Sequence, residues 1–187
     1  MTGAKALLRK QIRAAFPGAE ERDRQSRALC GHVLSSDLWK DVHTVVGYVP
    51  LPREADVTPL LRAGLTQGKR LLLPRVEGPG VMTLRQVGAL ESLVPGAYGI
   101  PEPAEDAPIV PPSEADLILT PLEAIDRSGL RLGKGGGYYD RLLSAADAFS
   151  LGIVLSWQWT DAVPADPWDR ALDAAADRDG IHLFTSK

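Results

Sequence analysis

"HTVVGYVPLPREADVTPLLRAGLTQGKRLLLPRV", His43 to Val76, decides the fold. Its first segment, "HTVVGYVP", is short, β-branched and closed by Pro50, the pattern of a buried strand. A loop follows, then a helix over about Thr58 to Thr66, a stop at Gly68 and a second apolar strand, "RLLLP". Two apolar strands joined by a helix form the unit that builds parallel sheets, because a parallel pair needs a crossover long enough to carry the chain back to its starting end.

The same alternation continues on both sides. Upstream, Ala4, Leu7, Leu8, Ile12 and Ala15 fall at helical spacing until Pro17-Gly18, and a second helical stretch covers roughly Glu20 to Leu34. Downstream, "VMTLRQV", "DLILTPL" and "SLGIVLSW" read as strands and "YYDRLLSAADA" as a short helix. The segment "PGAYGIPEPAEDAPIVPPSEA" is a long proline-rich loop without periodicity, of a kind that is functional or mobile in compact domains. The last part, "PADPWDRALDAAADRDGIHLF", holds a turn, a weak element and a terminal strand from Ile181 to Phe184. With 187 residues, 44% of them hydrophobic, the chain predicts one domain over 1–187, an α/β sandwich with a mostly parallel sheet.

Composition excludes several functions. Charged residues make up 24% with a net charge of −3 and interleaved signs, so there is no basic field to hold a nucleic-acid backbone. Cys30 has no partner for an internal disulfide, and His32, His43 and His182 show no metal-ligand spacing with it. The start, "MTGAKALLRKQIRAAFPG", is broken by cations every few residues and reads as neither signal peptide nor membrane span. A soluble, cytoplasmic protein is expected.

Chemistry concentrates in "GLRLGKGGGYYDRLL", Gly129 to Leu143, which follows a strand and opens a helix. Glycines there let backbone N–H groups approach a ligand without Cβ obstruction, and the helix start adds partial positive charge; Arg131 and Lys134 add formal charge. That combination suits phosphates. It is not a Walker loop, since Gly129 and Gly133 are separated by three residues and Gly135 follows Lys134. It is not the dinucleotide fingerprint either, since Tyr138 stands where the third glycine belongs. A flexible linker or tight packing turn is the plainer alternative. Asp140 is equally suited to complement the helix dipole or to hold Mg²⁺ beside phosphates, with Asp169 or Asp173 as a second carboxylate. Lys5, Arg9 and Arg13 stack in one row at i, i+4 and i+8, which by itself reads as a solvated charged face.

Taken together, "AKALLRKQIR", "YVPLPREAD", "GAYGIPEP", "RLGKGGGYYDR" and "LGIVLSWQ" leading to "PADPWDRALD" resemble, in order and over nearly the whole chain, the 5-formyltetrahydrofolate cyclo-ligase family. The resemblance implies a three-layer α/β/α sandwich like ribose-phosphate isomerase and CoA-transferase domains. It also implies conversion of 5-formyltetrahydrofolate to 5,10-methenyltetrahydrofolate with ATP and Mg²⁺, releasing ADP and phosphate, by a monomer handling small molecules only. By the same resemblance Lys5, Arg9, Arg131, Leu132, Gly133, Lys134, Gly135, Gly136, Gly137, Tyr138 and Tyr139 hold ATP, and Leu51, Glu54, Asp56, Tyr98 and Tyr138 face the folate. Lys134, Arg131 and Tyr138 act on the reacting groups, and Asp140 and Asp169 hold the metal.

The chain departs from the family pattern at particular places. Glu123, in "PLEAID", stands where relatives carry an apolar residue, so it should either repel a phosphate or help to hold a cation. Trp168-Asp169 replaces a His-Asp pair, and "EADVT" displaces a threonine by one position. Glu123 and the altered C-terminal segment, in which "AAADRDG" also lacks the family's Thr-Glu, support a second reading, a non-catalytic or regulatory paralog that binds folate or nucleotide without turnover. A third, an isomerase or CoA-transferase relative with no need of ATP, follows from the fold alone.

Overall fold

The computed structural model describes residues 3–166 and 169–184. Trp168 lies outside the described residues. The helices are α1 (Gly3–Ala14), α2 (Ala19–Ser35), α3 (Asp37–Asp41), α4 (Thr58–Thr66) and α5 (Tyr138–Ala145). The strands are β1 (Thr44–Val46), β2 (Arg70–Gly78), β3 (Val81–Val87), β4 (Val94–Pro95), β5 (Pro101–Glu102), β6 (Ile109–Val110), β7 (Leu117–Thr120), β8 (Ala124–Ile125), β9 (Arg131–Leu132), β10 (Phe149–Ile153), β11 (Ala174–Asp177) and β12 (Gly180–Leu183).

Eight strands form one sheet in the order β12-β11-β10-β7-β1-β2-β3-β6. The stretch His43 to Val76 does what its pattern predicts: β1 runs parallel to β2, with Val45 beside Leu71 and Val46 beside Leu72, and α4 supplies the crossover. The central strands β11, β10, β7, β1 and β2 are all parallel, while β12 pairs antiparallel with β11 on one side and, on the other, β3 pairs antiparallel with β2 and β6 antiparallel with β3. The result is the expected α/β sandwich, with a mostly parallel sheet flanked by helices.

Burial explains why the central strands are apolar runs. Val45, Leu71, Leu73, Leu117, Leu119, Leu151 and Ile153 enter one core with Leu29 and Val33 of α2 and Leu60 and Leu61 of α4. Their neighbours Val46, Leu72 and Ile118 enter a second core with Leu142 and Leu143 of α5. A strand covered on both faces has no solvent side on which to place polar residues. Asp116 fixes the start of β1 by accepting from the His43 N–H at 2.9 Å and the Thr44 N–H at 2.7 Å.

Three features differ from the sequence pattern. The weak element before the terminal strand is β11, whose Ala174, Ala175 and Ala176 are fully buried. Alanine has little intrinsic strand preference, and its place here comes from letting α2 pack closely over the strand. The proline-rich stretch contains the short pair β4–β5 and the strand β6 on the sheet edge. Helix α1 does not turn all its cations to solvent: Arg9 is buried beside Ile12 and Lys5 is half-buried, whereas Lys10, Arg13 and Leu7 are exposed. Among the described residues a small third core, Ile12, Ala124, Leu132 and Val163 with Leu8, Leu130 and Trp157 against it, seats this helix, and polar contacts add to its placement.

Candidate functional site

The glycine segment leaves a two-stranded hairpin, β8 with β9, in which Ala124 pairs with Leu132 and Ile125 with Arg131. The chain then turns through residues 133–137 into α5. Gly137 caps that helix in the left-handed region at φ 66°, a conformation that side chains other than glycine's adopt with difficulty. Gly136 is required by close approach, since a Cβ there would lie 2.7 Å from the Tyr138 ring. The glycines therefore serve geometry.

Charged side chains enter from the edges of this turn. Arg131 is buried, its side chain only 3% exposed, and its Nη2 donates to Asp140 Oδ1 at 2.7 Å. Its Nε is buried and meets no acceptor among the described residues. A desolvated guanidinium with an unused donor is a ready anion partner.

Helix α1 lies along the turn with Lys5 and Arg9 inward and Arg13 at the rim. Lys5 donates to Asp166 Oδ2 and Asp169 Oδ2, each at 2.7 Å, and Arg9 Nε donates to the Gly133 carbonyl at 2.8 Å. Arg13 grips Glu123 with Nε at 3.2 Å and Nη2 at 3.3 Å. Burial alone would lower the Lys5 pKa, but the bonds to Asp166 and Asp169 outweigh it and raise it. Burial pushes Asp169 up, and the Asp166 N–H together with Lys5 more than offsets this, leaving its carboxyl below the usual range. Glu123 is thus held by a cation of the chain's own.

Across the turn stands the acidic loop. Glu54 is buried; its Oε2 accepts from the Leu51 N–H at 2.8 Å and its Oε1 lies 2.5 Å from Lys134 Nζ. Asp56 faces its own loop, with Oδ1 accepting from the Thr58 N–H at 2.9 Å in an Asx turn that leads into α4. Leu51, Leu122, Phe16 and Trp157 give apolar walls to a small cleft of about 40 Å³ that Glu54 and Lys134 also line. Phe16 meets Trp157 edge to face, centroids 5.6 Å apart. A more open groove of about 370 Å³ beside it is lined by Ala6, Arg9, Lys10, Arg13 and Lys134. One recess sets apolar walls beside Glu54, Glu123, Arg13, Arg53 and Lys134, and the other is cationic. Lys134 and Arg13 line both.

The tyrosines divide their tasks. Tyr138 Oη accepts from the Gly80 N–H at 3.2 Å and donates to the Gly78 carbonyl at 3.3 Å, tying the glycine turn to the β2–β3 turn. Tyr98 Oη lies 3.5 Å from it. Tyr98 itself is 76% exposed at φ 58°, an uncommon backbone state for a residue with a side chain. Tyr139 packs against the second core; burial and then the charge of Glu54 push its phenol pKa up.

The structure therefore gathers Lys5, Arg9, Arg131, Lys134, Asp140, Asp169, Leu51 and Glu54 around one turn. It joins Tyr98 to them through Tyr138, and it directs Asp56 and Tyr139 into the fold. Sequence reasoning passed over Arg13, Phe16 and Trp157. Arg13 shares the helical row of Lys5 and Arg9, which was the available signal; the two aromatics reach the cleft only through tertiary packing. Among the described residues no three His, Cys, Asp or Glu cluster to hold a metal, and no helix is long and apolar enough to cross a membrane.

The comparisons with known proteins agree with this architecture. The sequence model of the 5-formyltetrahydrofolate cyclo-ligase family matches residues 1–177. The 5-formyltetrahydrofolate cyclo-ligase of Mycolicibacterium smegmatis is 38% identical over 97% of this chain and 91% of its own, and that of Escherichia coli is 29% identical over 90% and 94%. The solved 5,10-methenyltetrahydrofolate synthetase of Aquifex aeolicus superposes with a TM-score of 0.87 at 34% identity, covering 98% of this chain and 94% of the other. The chain therefore belongs to the 5-formyltetrahydrofolate cyclo-ligase family, ATP-dependent ligases that convert 5-formyltetrahydrofolate to 5,10-methenyltetrahydrofolate.

Proposed function

We propose that the cationic groove takes the phosphates of ATP, that the apolar cleft takes the folate, and that the reaction occurs where they meet at Lys134. The observation that carries this reading is the presence of Lys134 on the walls of both recesses. Lys5, Arg9, Arg131, the backbone from Leu132 to Gly137 and Tyr138 surround the nucleotide, and Tyr139 supports the turn from within. Leu51, Glu54, Tyr98 and Tyr138 face the folate, with Asp56 shaping the loop that carries Glu54. A carboxylate such as Glu54 can accept paired hydrogen bonds from an amino-pyrimidine edge.

The formyl group is an amide, so its oxygen is a weak nucleophile and a poor leaving group. Phosphorylation answers the second difficulty. The formyl oxygen attacks the γ-phosphorus and ADP departs; folate N10 then adds to the activated carbon, its proton is lost, and the carbon–oxygen bond breaks to release phosphate. Close positioning offsets the weak nucleophile, while Lys134 and Arg131 face the charge that builds on the transferred group. Tyr138, held between Gly78 and Gly80, fixes the wall opposite.

Mg²⁺ commonly takes one or two carboxylates together with phosphate oxygens and water. Asp140 bonds to Arg131, and the charge of Arg131 also acts on Asp169, so both carboxylates border one guanidinium. This donor set fits a metal shared with nucleotide phosphates better than an all-protein cage. Asp140 and Asp169 would hold the ion, which when bound supplies charge neutralisation on the phosphates. The reading carries with it a monomeric, cytoplasmic enzyme acting on small molecules, without nucleic-acid or membrane partners.

The test is to incubate the protein with 5-formyltetrahydrofolate, with and without MgATP, and follow methenyl absorbance in the near ultraviolet. ATP-dependent growth of that band is expected, with Lys134→Ala slowing it. Folate binding without any turnover would favour the non-catalytic paralog.

A further inference from the structure

The short contact between Lys134 and Glu54 joins the two recesses in a way that the assignment of ligands alone does not require. Glu54 is buried and has both oxygens engaged, one by the Leu51 N–H and the other by Lys134 Nζ at 2.5 Å. Lys134 is the more exposed partner, with 41% of its side chain exposed against 10% for Glu54, and it stands on a turn of glycines. Each group thus occupies a position that its proposed ligand must claim. A pterin edge seeking two acceptor contacts on Glu54 has to displace the ammonium, and a phosphate drawing Lys134 into the groove removes the charge that saturates Glu54.

We infer that the Lys134–Glu54 pair is an exchangeable latch that makes ATP and folate bind with positive cooperativity, because either ligand breaks the same bond and spares the other its cost. The inference rests on the proposed placement of phosphates at Lys134 and pterin at Glu54. Coupling of this kind is reciprocal: nucleotide must tighten folate by the same factor by which folate tightens nucleotide. A buried carboxylate joined to a partly exposed ammonium forms a modest bond, so the factor should be about tenfold, toward the lower part of the usual range for coupled sites. Lys5 is held by Asp166 and Asp169, and Arg131 by Asp140, none of which lines the apolar cleft. Arg13 and Glu123 do line it, but their contact is longer, at 3.2 Å, and Arg13 is half exposed, so breaking it costs less than breaking the Lys134–Glu54 contact.

The experiment is equilibrium binding of a non-hydrolysable ATP analogue with Mg²⁺, and of 5-formyltetrahydrofolate, each alone and with the other saturating. The wild-type protein should bind each ligand about tenfold more tightly in the presence of the other. Glu54→Gln should bind the analogue alone nearly as tightly as wild type does with folate present, and should lose the coupling. Lys134→Met should weaken the analogue but strengthen folate binding in its absence. Tighter binding on loss of a carboxylate is something a merely structural ion pair would not give. If Glu54→Gln binds the analogue no more tightly than wild type, or retains the coupling while Lys134→Met still weakens the analogue, the latch is wrong and the ligand placement survives. If Lys134→Met leaves analogue affinity unchanged, the placement of phosphates at Lys134 fails, and the latch with it.

Discussion

Replacing Arg131 by methionine should make the free protein more stable while nearly abolishing its activity. In the free protein the guanidinium is buried, with Nη2 bonded to Asp140 and Nε without an acceptor among the described residues. Leaving a buried donor unsatisfied costs about 1–3 kcal/mol, and Met keeps the apolar stem in place without that donor. The lost ion pair is worth about 1 kcal/mol or less, because the Asp140 side chain is 46% exposed and can be solvated once released. The balance favours the variant by about 1 kcal/mol, which raises Tm by about 2–4 °C in a chain of this size. Turnover should fall by roughly 100-fold or more, the usual effect of removing a preorganised donor from a transition-state anion. Thermal melts without ligand, paired with the methenyl absorbance assay, measure both quantities. A melting point several degrees below wild type would show that the guanidinium is already satisfied in the free protein. Near-normal turnover would remove Arg131 from the phosphoryl site.

Other substitutions separate the remaining roles. Asp140→Asn should lower turnover about tenfold or more and weaken its dependence on Mg²⁺ while the melting point moves little; a rate unchanged across Mg²⁺ concentrations would remove its metal role. Gly136→Ala must push the Tyr138 ring aside from a 2.7 Å contact and so break the link to Gly78 and Gly80; kcat should fall with the far-ultraviolet spectrum unchanged. The docking of α1 should depend on pH at both ends. Asp169 is depressed on folding, so its contribution is full above the unfolded carboxyl value of about 3.9 and is lost as pH falls through the lower folded value. Lys5 is raised on folding, so its contribution is full below about 10.4 and is lost as pH rises through the higher folded value. Proteolysis near the N-terminus against pH should report a protected plateau between these limits, and Asp169→Asn should lower its acid edge.

The parts of this fold that were legible in the sequence are those with a strong local pattern. The central strands carry uninterrupted apolar runs because both faces are covered, and α4 lies between the predicted residues because Thr58-Pro59 and Gly68 mark its ends. Strand β11 was hidden, since Ala174 to Ala176 are chosen by the closeness of α2 and carry no strand signature of their own. The candidate site shows the same division. The glycine turn announces itself by composition, whereas the inward direction of Lys5 and Arg9 and the rim position of Arg13 depend on acceptors more than 100 residues away, at Asp166, Asp169, Gly133 and Glu123. Periodicity alone made that row look solvated. Glu123, out of place by the family pattern, is accounted for by Arg13, a partner that only the folded chain supplies.

The central claim is that folate and nucleotide meet at Lys134 so that the formyl oxygen receives the γ-phosphoryl group. Turnover of 5-formyltetrahydrofolate labelled with ¹⁸O in the formyl group tests it directly, with the released inorganic phosphate analysed by mass spectrometry. One ¹⁸O atom is expected in each phosphate formed from labelled substrate. Unlabelled phosphate formed in step with methenyl product would contradict it.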